Sequence, residues 1–220
     1  FAGQNMDIPS WVEGMQVLLR VMPTENSPET LIFTYAGNIG LNGLNASSLG
    51  ITCNTLAQLN YATDGLPVSF IVRSVLERGN IEEAEQFLRT IKHASGQNYI
   101  VSSPGDMRCF ESCATRVVRY SPEEYQGRVF HSNHPLVNQD KSDVSHRVTG
   151  RVKNSEVRLA SICGRLGDMS RSMTLNDIKT ALAAHDDLDH PVSRRIHPDS
   201  VNNSMGYTAG ASIYELEATP

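Results

Sequence analysis

Strand-like and helix-like periodicities fall in separate blocks along this chain, and that segregation narrows the choice of folds more than any other feature. Residues 17–22 and 30–36 are β-rich runs joined by a Pro/Asn/Ser/Glu turn, and residues 49–54 form a third. Between them, residues 37–45 are rich in Gly and Asn and read as a bulged hairpin turn that visits positive φ. A helix begins near Pro67, because Val68, Ile71, Val72, Val75 and Leu76 recur at helical spacing until Gly79 stops it. Asn80 caps a second helix, with Glu83 at the reciprocal position and Ile81, Ala84, Leu88 and Ile91 as its apolar stripe, ended by Gly96. Strand patterns return at 98–103, 107–111, 115–120 and 127–132. Two more helices follow: 155–166, with Leu159, Ile162, Cys163 and Leu166 on one face, and 175–184, capped by Thr174 with Asp177 at the third position. Residues 139–152 read as loop, and 206–216 as a last strand. Blocks in this order predict an α+β fold with helices on mostly antiparallel sheets, not an alternating βαβ architecture.

At 220 residues with 40% hydrophobic content, the chain can bury the core of one large domain or two small ones. Nineteen Lys and Arg against 24 Asp and Glu give a net charge of -5, so no basic excess is available to neutralise phosphates and no nucleic-acid partner is expected. No apolar run approaches the ~20 residues that span a bilayer, so no membrane insertion is expected. Cys53, Cys109, Cys113 and Cys163 are too few for a disulfide scaffold and fit reduced core thiols. The chain opens on Phe1 and reads at once like the interior of a domain, and it stops at Ala218-Thr219-Pro220 just after a strand. A processed or trimmed chain is the expectation, with any upstream segment out of view.

The residue clusters are individually modest. Gly3-Gln4-Asn5-Met6-Asp7 reads on its own as a strand running into a turn, and the Gly-rich stretch lacks the Gly-Lys-Ser/Thr of a phosphate loop. His131 and His134 are three apart at a strand end, a spacing that puts them on opposite faces, so a metal is not expected there. The acidic run Asp186-Asp187-Leu188-Asp189-His190 reads as a solvated loop. Cys109 and Cys113 lack a second ligand pair for zinc. Cys53 with His134 would make a thiolate pair on paper, but Cys53 lies in an apolar strand and reads as a buried structural thiol. From the residues alone, this is an α+β domain with an Asn-rich site.

Four segments in order go further: Gly3-Gln4-Asn5-Met6-Asp7; Gly40-Leu41-Asn42-Gly43-Leu44-Asn45 running to Asn54-Thr55-Leu56; Asp64-Gly65-Leu66-Pro67; and His131-Ser132-Asn133-His134. Together they resemble the isopenicillin N acyltransferase (acyl-CoA:6-aminopenicillanic acid acyltransferase-like) family of N-terminal-nucleophile hydrolases, a likeness running from about Gly3 to Leu216. The resemblance implies a four-layer αββα sandwich, with residues 1–220 as one such domain lacking a short N-terminal segment. In that family the precursor cuts itself before a cysteine, which becomes both nucleophile and, through its α-amine of pKa near ~8, general base. None of the four cysteines present occupies that place, so the nucleophile is expected upstream of Phe1.

Carried over by position, Asp7 resembles the aspartate that orients the nucleophile and its amine, and Asn133 the asparagine of the oxyanion hole. Asn54 matches a strand position lining the same hole in the related bile-salt hydrolases, and Arg158 resembles an arginine near their nucleophile. Gln4 stands where bile-salt and penicillin V hydrolases carry Arg, which favours the acyltransferase branch. Ser193-Arg194-Arg195-Ile196-His197-Pro198 roughly matches a segment with Cys-Arg before His-Pro, so Arg194 and Arg195 are candidates for binding a substrate carboxylate. The expected activity is cleavage of a linear amide, or transfer of its acyl group, through a thioester. No metal or organic cofactor is required, although acyl-CoA could serve as donor. The expected partners are a small amide or acyl substrate and the cleaved pro-fragment, with self-association left open and a cytoplasmic setting assumed. The rival reading is a binding module that kept the fold and lost the nucleophile, and a weaker one is a thiol enzyme using Cys53.

Overall fold

Ile32, Ile51, Tyr99, Val101 and Phe110 are almost completely buried, and all lie in one sheet against two helices. The computed structural model describes residues 1–125, 127–143, 145, 149–196 and 206–217. The sheet is an antiparallel meander in chain order: β2 (Gln16–Val21), β3 (Thr30–Tyr35), β4 (Asn42–Asn45), β5 (Gly50–Thr55), β6 (Gln97–Ser103), β7 (Asp106–Ser112) and β8 (Val117–Tyr120). On one face pack α1 (Val68–Leu76) and α2 (Ile81–Thr90), whose Ile71, Val72, Val75, Leu76, Ile81, Ala84 and Leu88 complete the main core. Each fully buried Leu or Ile contributes about 1.5–3 kcal/mol by leaving water, so this layer dominates stability.

The opposite face is covered by a second sheet of two antiparallel strands, β1 (Ala2–Ile8) and β9 (Tyr207–Tyr214). Outside it lie α3 (Thr149–Leu166) and α4 (Leu175–Leu182). The stack is therefore helices, sheet, sheet, helices, the four-layer αββα sandwich. At Gly3 a Cβ would stand 2.9 Å from Ile178 Cγ2, so glycine is what lets α4 approach β1. No helix among the described residues is long and apolar enough to cross a membrane.

Several boundaries differ from the sequence reading. The Gly/Asn-rich stretch is not only a turn, because it contains β4. Asn42 and Asn45 are buried there with their amides paired: Asn42 Oδ1 accepts from Ser212 Oγ (2.8 Å) and Tyr214 Oη (2.7 Å), and Asn45 Nδ2 donates to the carbonyls of Leu76 (2.9 Å) and Arg78 (2.8 Å). The strand expected at 127–132 is absent, and the chain there is irregular, with the His131 and Ser132 side chains bonded to Glu111 of β7 and Ser155 of α3. The third helix starts at Thr149, inside the segment read as loop. Asn80 accepts from Glu83 N at 2.9 Å, whereas Glu83 answers the Asn80 side chain and Gly79 N rather than the cap's own backbone. At Thr174 and Asp177 the full reciprocal box is present. His197 and Pro198, the chain end Ala218-Thr219-Pro220, and residues 144 and 146–148 of the loop-like stretch lie outside the described residues.

Candidate active site

Residues 1–9 all line a single cavity of about 610 Å³. Successive residues of a strand point to opposite faces, so a cavity touching every one of them runs along the strand's edge. Among the described residues β1 pairs with β9 alone, leaving that second edge unpaired. Leu159, Ile162 and Leu166 of α3 and Ile178 and Leu182 of α4 supply an apolar wall. Asp7, Asn54, Asn133 and Arg158 also line the cavity, although they come from β1, β5, an irregular loop and α3.

Asp7 sits where the β1–β9 register shifts, between Met6 and Asp7, an irregularity that re-aims the side chain. Its Oδ1 accepts from Thr208 Oγ1 at 2.6 Å, and its Oδ2 lies 3.6 Å from Arg194 Nε. Thr208 Oγ1 in turn accepts from the Arg194 backbone N–H at 2.8 Å, so strand β9 and the segment before it brace the carboxylate. Arg194 stands behind Asp7, also donating to Asn154 Oδ1, and does not line the cavity. Arg195 is exposed and outside the cavity lining.

Arg158 reaches across from α3. Its Nε donates to Asn154 Oδ1 (3.0 Å) and a terminal nitrogen donates to Asn133 Oδ1 (2.9 Å). Burial, aided by the charge of Arg194 and opposed by that of Asp7, pulls its pKa down to about 10, so it stays charged at neutral pH. A guanidinium can only donate, so the Asn133 atom facing it must be the carbonyl oxygen. The Asn133 Nδ2 group is thereby fixed as a donor on the other side, where one hydrogen reaches Thr55 O at 3.2 Å. The Asn133 backbone N–H donates to Ser155 Oγ at 2.7 Å, anchoring the loop to α3. Asn54 is oriented by the same logic. Its Oδ1 accepts from Asn98 Nδ2 (3.2 Å), whose own Oδ1 accepts from Cys109 Sγ (2.9 Å), so Asn54 Nδ2 is left as a donor.

Gln4 is the residue of this region whose role the sequence did not reveal. Its amide oxygen accepts from Cys53 N at 3.2 Å and its amide nitrogen donates to Cys53 O, so one side chain joins the two sheets as a strand residue would. Thr208 and Ser155 were also missed, since partners 201 and 22 residues away leave no local pattern, and so was Asn154, although it sits one helical turn before Arg158.

Cys53, Cys109 and Cys163 are poor nucleophiles where they stand. Cys53 Sγ donates to Leu41 O at 3.1 Å, and burial pushes its pKa up to about 12. Burial likewise raises Cys109 and Cys163. His134, the imagined partner of Cys53, directs Nδ1 to Ser155 Oγ at 2.8 Å, and His131 directs Nε2 to Glu111.

The αββα layering is the fold of the N-terminal-nucleophile hydrolases, and Asp7 and Asn133 both line one cavity within it. The sequence profile described as acyl-coenzyme A:6-aminopenicillanic acid acyl-transferase matches residues 1–201, and the chain belongs to that family. No curated protein sequence matches it. Among solved structures, the Caenorhabditis elegans N-acylethanolamine-hydrolyzing acid amidase ortholog is similar over 97% of this chain and 94% of its own, with a TM-score of 0.60 and 17% identity. Penicillin V acylase from Agrobacterium tumefaciens is similar over 82% of this chain and 65% of its own, with a TM-score of 0.52 and 16% identity. The C2A mutant of conjugated bile acid hydrolase from Clostridium perfringens is similar over 83% of this chain and 74% of its own, with a TM-score of 0.50 and 15% identity. At these identities the structural likeness speaks for the fold.

Proposed function

We propose that this chain forms the catalytic domain of an autoprocessed cysteine amidohydrolase or acyltransferase acting on a linear amide. The observation that carries the reading is the convergence of Asp7, Asn54, Asn133 and Arg158 on one cavity along the unpaired edge of β1. That edge suits a further strand, and a segment preceding Phe1 would deliver an N-terminal cysteine beside Asp7. The cysteine thiol passes its proton to its own α-amine, and the thiolate attacks the amide carbon. The carbonyl oxygen becomes an oxyanion facing the Nδ2 donors of Asn133 and Asn54, where one well-placed donor contributes about 2.7–4 kcal/mol. Collapse breaks the C–N bond, the leaving amine takes the proton from the α-ammonium, and a thioester remains. Water then gives a carboxylic acid, while an amine gives a new amide.

In this scheme Asp7 holds the α-ammonium, and Arg194, already engaged by Asp7 and Asn154, orients that aspartate instead of reaching substrate. Arg195, exposed and outside the cavity lining, is left as a candidate for a substrate carboxylate. No metal or organic cofactor takes part, and acyl-CoA would enter only as an acyl donor in the transfer direction. The test is a precursor carrying the residues before Phe1. It should yield two fragments, the larger beginning with Cys, and a Cys→Ala change at that position should leave one uncut chain without activity. Cleavage and turnover that persist in the Ala variant would overturn the reading.

A further inference from the structure

Asn133 lies in an irregular loop, yet the oxyanion role proposed above demands that its amide be held still; the following inference rests on that role. The loop is organised by a residue from another element. Glu111 on β7 is completely buried, and four donors converge on its carboxylate. Oε1 accepts from His131 Nε2 (2.8 Å) and Leu136 N (2.5 Å), and Oε2 from Val137 N (3.1 Å) and Asn138 N (2.6 Å). Asn138 Nδ2 returns to the Glu111 carbonyl at 3.1 Å, and the His131 ring, also fully buried, turns Nδ1 to Ser132 O at 2.9 Å. One carboxylate thus gathers the chain on both sides of Asn133, at residue 131 before it and at 136–138 after it.

A buried carboxylate is costly unless donors surround it. Burial pushes the Glu111 carboxyl up, and the bonds from His131, Leu136 and Asn138 together outweigh it and hold the group below its ordinary value. A glutamine could not do this, because its NH2 would face backbone N–H groups that only donate. A loop needed merely to close the sandwich could be packed with apolar side chains. A buried anion reading three consecutive backbone donors instead fixes the loop's path to one conformation.

We infer that Glu111, together with His131, is a positioning pair that sets the Asn133 amide in register with the oxyanion. Displacement of a catalytic group by about 1 Å can cost about 10²-fold in rate, so loosening this clamp acts on turnover without touching substrate.

The experiment compares Glu111→Gln and the milder His131→Phe, which removes one of the four donors and leaves three backbone bonds, in the processed enzyme. The first readout is the side-chain amide resonance of Asn133, identified by its loss in Asn133→Ala, with the amide of Asn45 as a distant control. In the folded variants the Asn133 resonance should shift and its hydrogen exchange accelerate at least tenfold, with Asn45 unchanged. The second readout is turnover of a panel of N-acyl-4-nitroanilides, where kcat should fall at least tenfold with KM within twofold. In an Asn133→Ala background the same changes should add little. An unaltered Asn133 resonance in either folded variant would overturn the inference, as would an equally large kcat loss in the Asn133→Ala background. If the wild-type enzyme turned over none of the probes, the catalytic reading would suffer, while the amide resonance would still judge the clamp.

Discussion

Arg158 donates to Asn133 Oδ1 at 2.9 Å, and this one bond decides which end of the Asn133 amide faces the cavity. The guanidinium, half-buried near Arg194 and Asp7, works as an orienting group for a donor that points elsewhere.

Arg158→Lys should therefore lower kcat more than it raises KM. An ammonium keeps the charge but cannot bond Asn133 and Asn154 together from one planar group. The expected loss is about 10- to 100-fold, matching about 1.5–3 kcal/mol for a charged hydrogen bond. Steady-state kinetics on a chromogenic amide checks it, and an unchanged kcat would detach Arg158 from the site.

Asn133→Ala should reduce turnover by about 10²–10³-fold while ground-state binding changes little. Asn133→Asp should be at least as harmful, because an ionised carboxylate offers no donor and repels the developing charge. The measurement is kcat per folded site, with sites counted by thiol titration. Were the amide only pinning a turn, stability would fall and the folded fraction would keep its rate.

Gln4→Ala should destabilise the sandwich without removing any group from the chemistry. It strips the Cys53 backbone N–H and C=O of their partners at the junction of the two sheets. Each orphaned group costs about 1–3 kcal/mol, and each kcal/mol lowers Tm by about 2–4 °C in a chain of this size. Calorimetry decides it, and a Tm within a degree of wild type would mean that Gln4 carries no inter-sheet load.

The fold should weaken as pH falls below about 6.5, the ordinary value for histidine. His93 is almost fully buried, with Nε2 facing Leu88 O at 2.8 Å and Nδ1 without a partner, and burial pulls its pKa down. A depressed folded pKa favours the neutral ring, so its stabilisation is present above the unfolded value and is lost as pH drops through the folded one. Burial depresses His134 in the same direction, and Glu111 extends the loss at lower pH, below the usual carboxylate range. Chemical denaturation from pH 7.5 to 5.5 should show a slope that flattens in His93→Gln. An equal slope in that variant would assign the acid sensitivity elsewhere.

The block order of strands and helices was legible because apolar periodicity reports directly on which face is buried, as at Val72, Val75, Ile81 and Leu88. It failed where polar side chains replace backbone pairing. The residues from 127 to 132 carry a strand-like alternation, yet they form no ladder, and the side chains of His131 and Ser132 go to Glu111 and Ser155. Asn42 and Asn45 look like turn residues in sequence, yet they are buried in β4 because their amides bond to β9 and to the end of α1. Asp7 and Asn133 could be singled out by resemblance. Their supports Thr208 and Ser155 could not, and Arg194, singled out for a substrate carboxylate, turned out to brace Asp7, since only the folded layers bring these residues together.

The most direct test of the account is to catch the acyl group. The processed enzyme, including residues before Phe1, would be quenched in acid during turnover of a slow N-acyl-4-nitroanilide, and its peptides weighed by mass spectrometry. The account predicts an added acyl mass on the peptide whose first residue is the new N-terminal cysteine, removable by hydroxylamine as a thioester is. Acylation of Cys53, or of any serine, with the N-terminal peptide unmodified would contradict it.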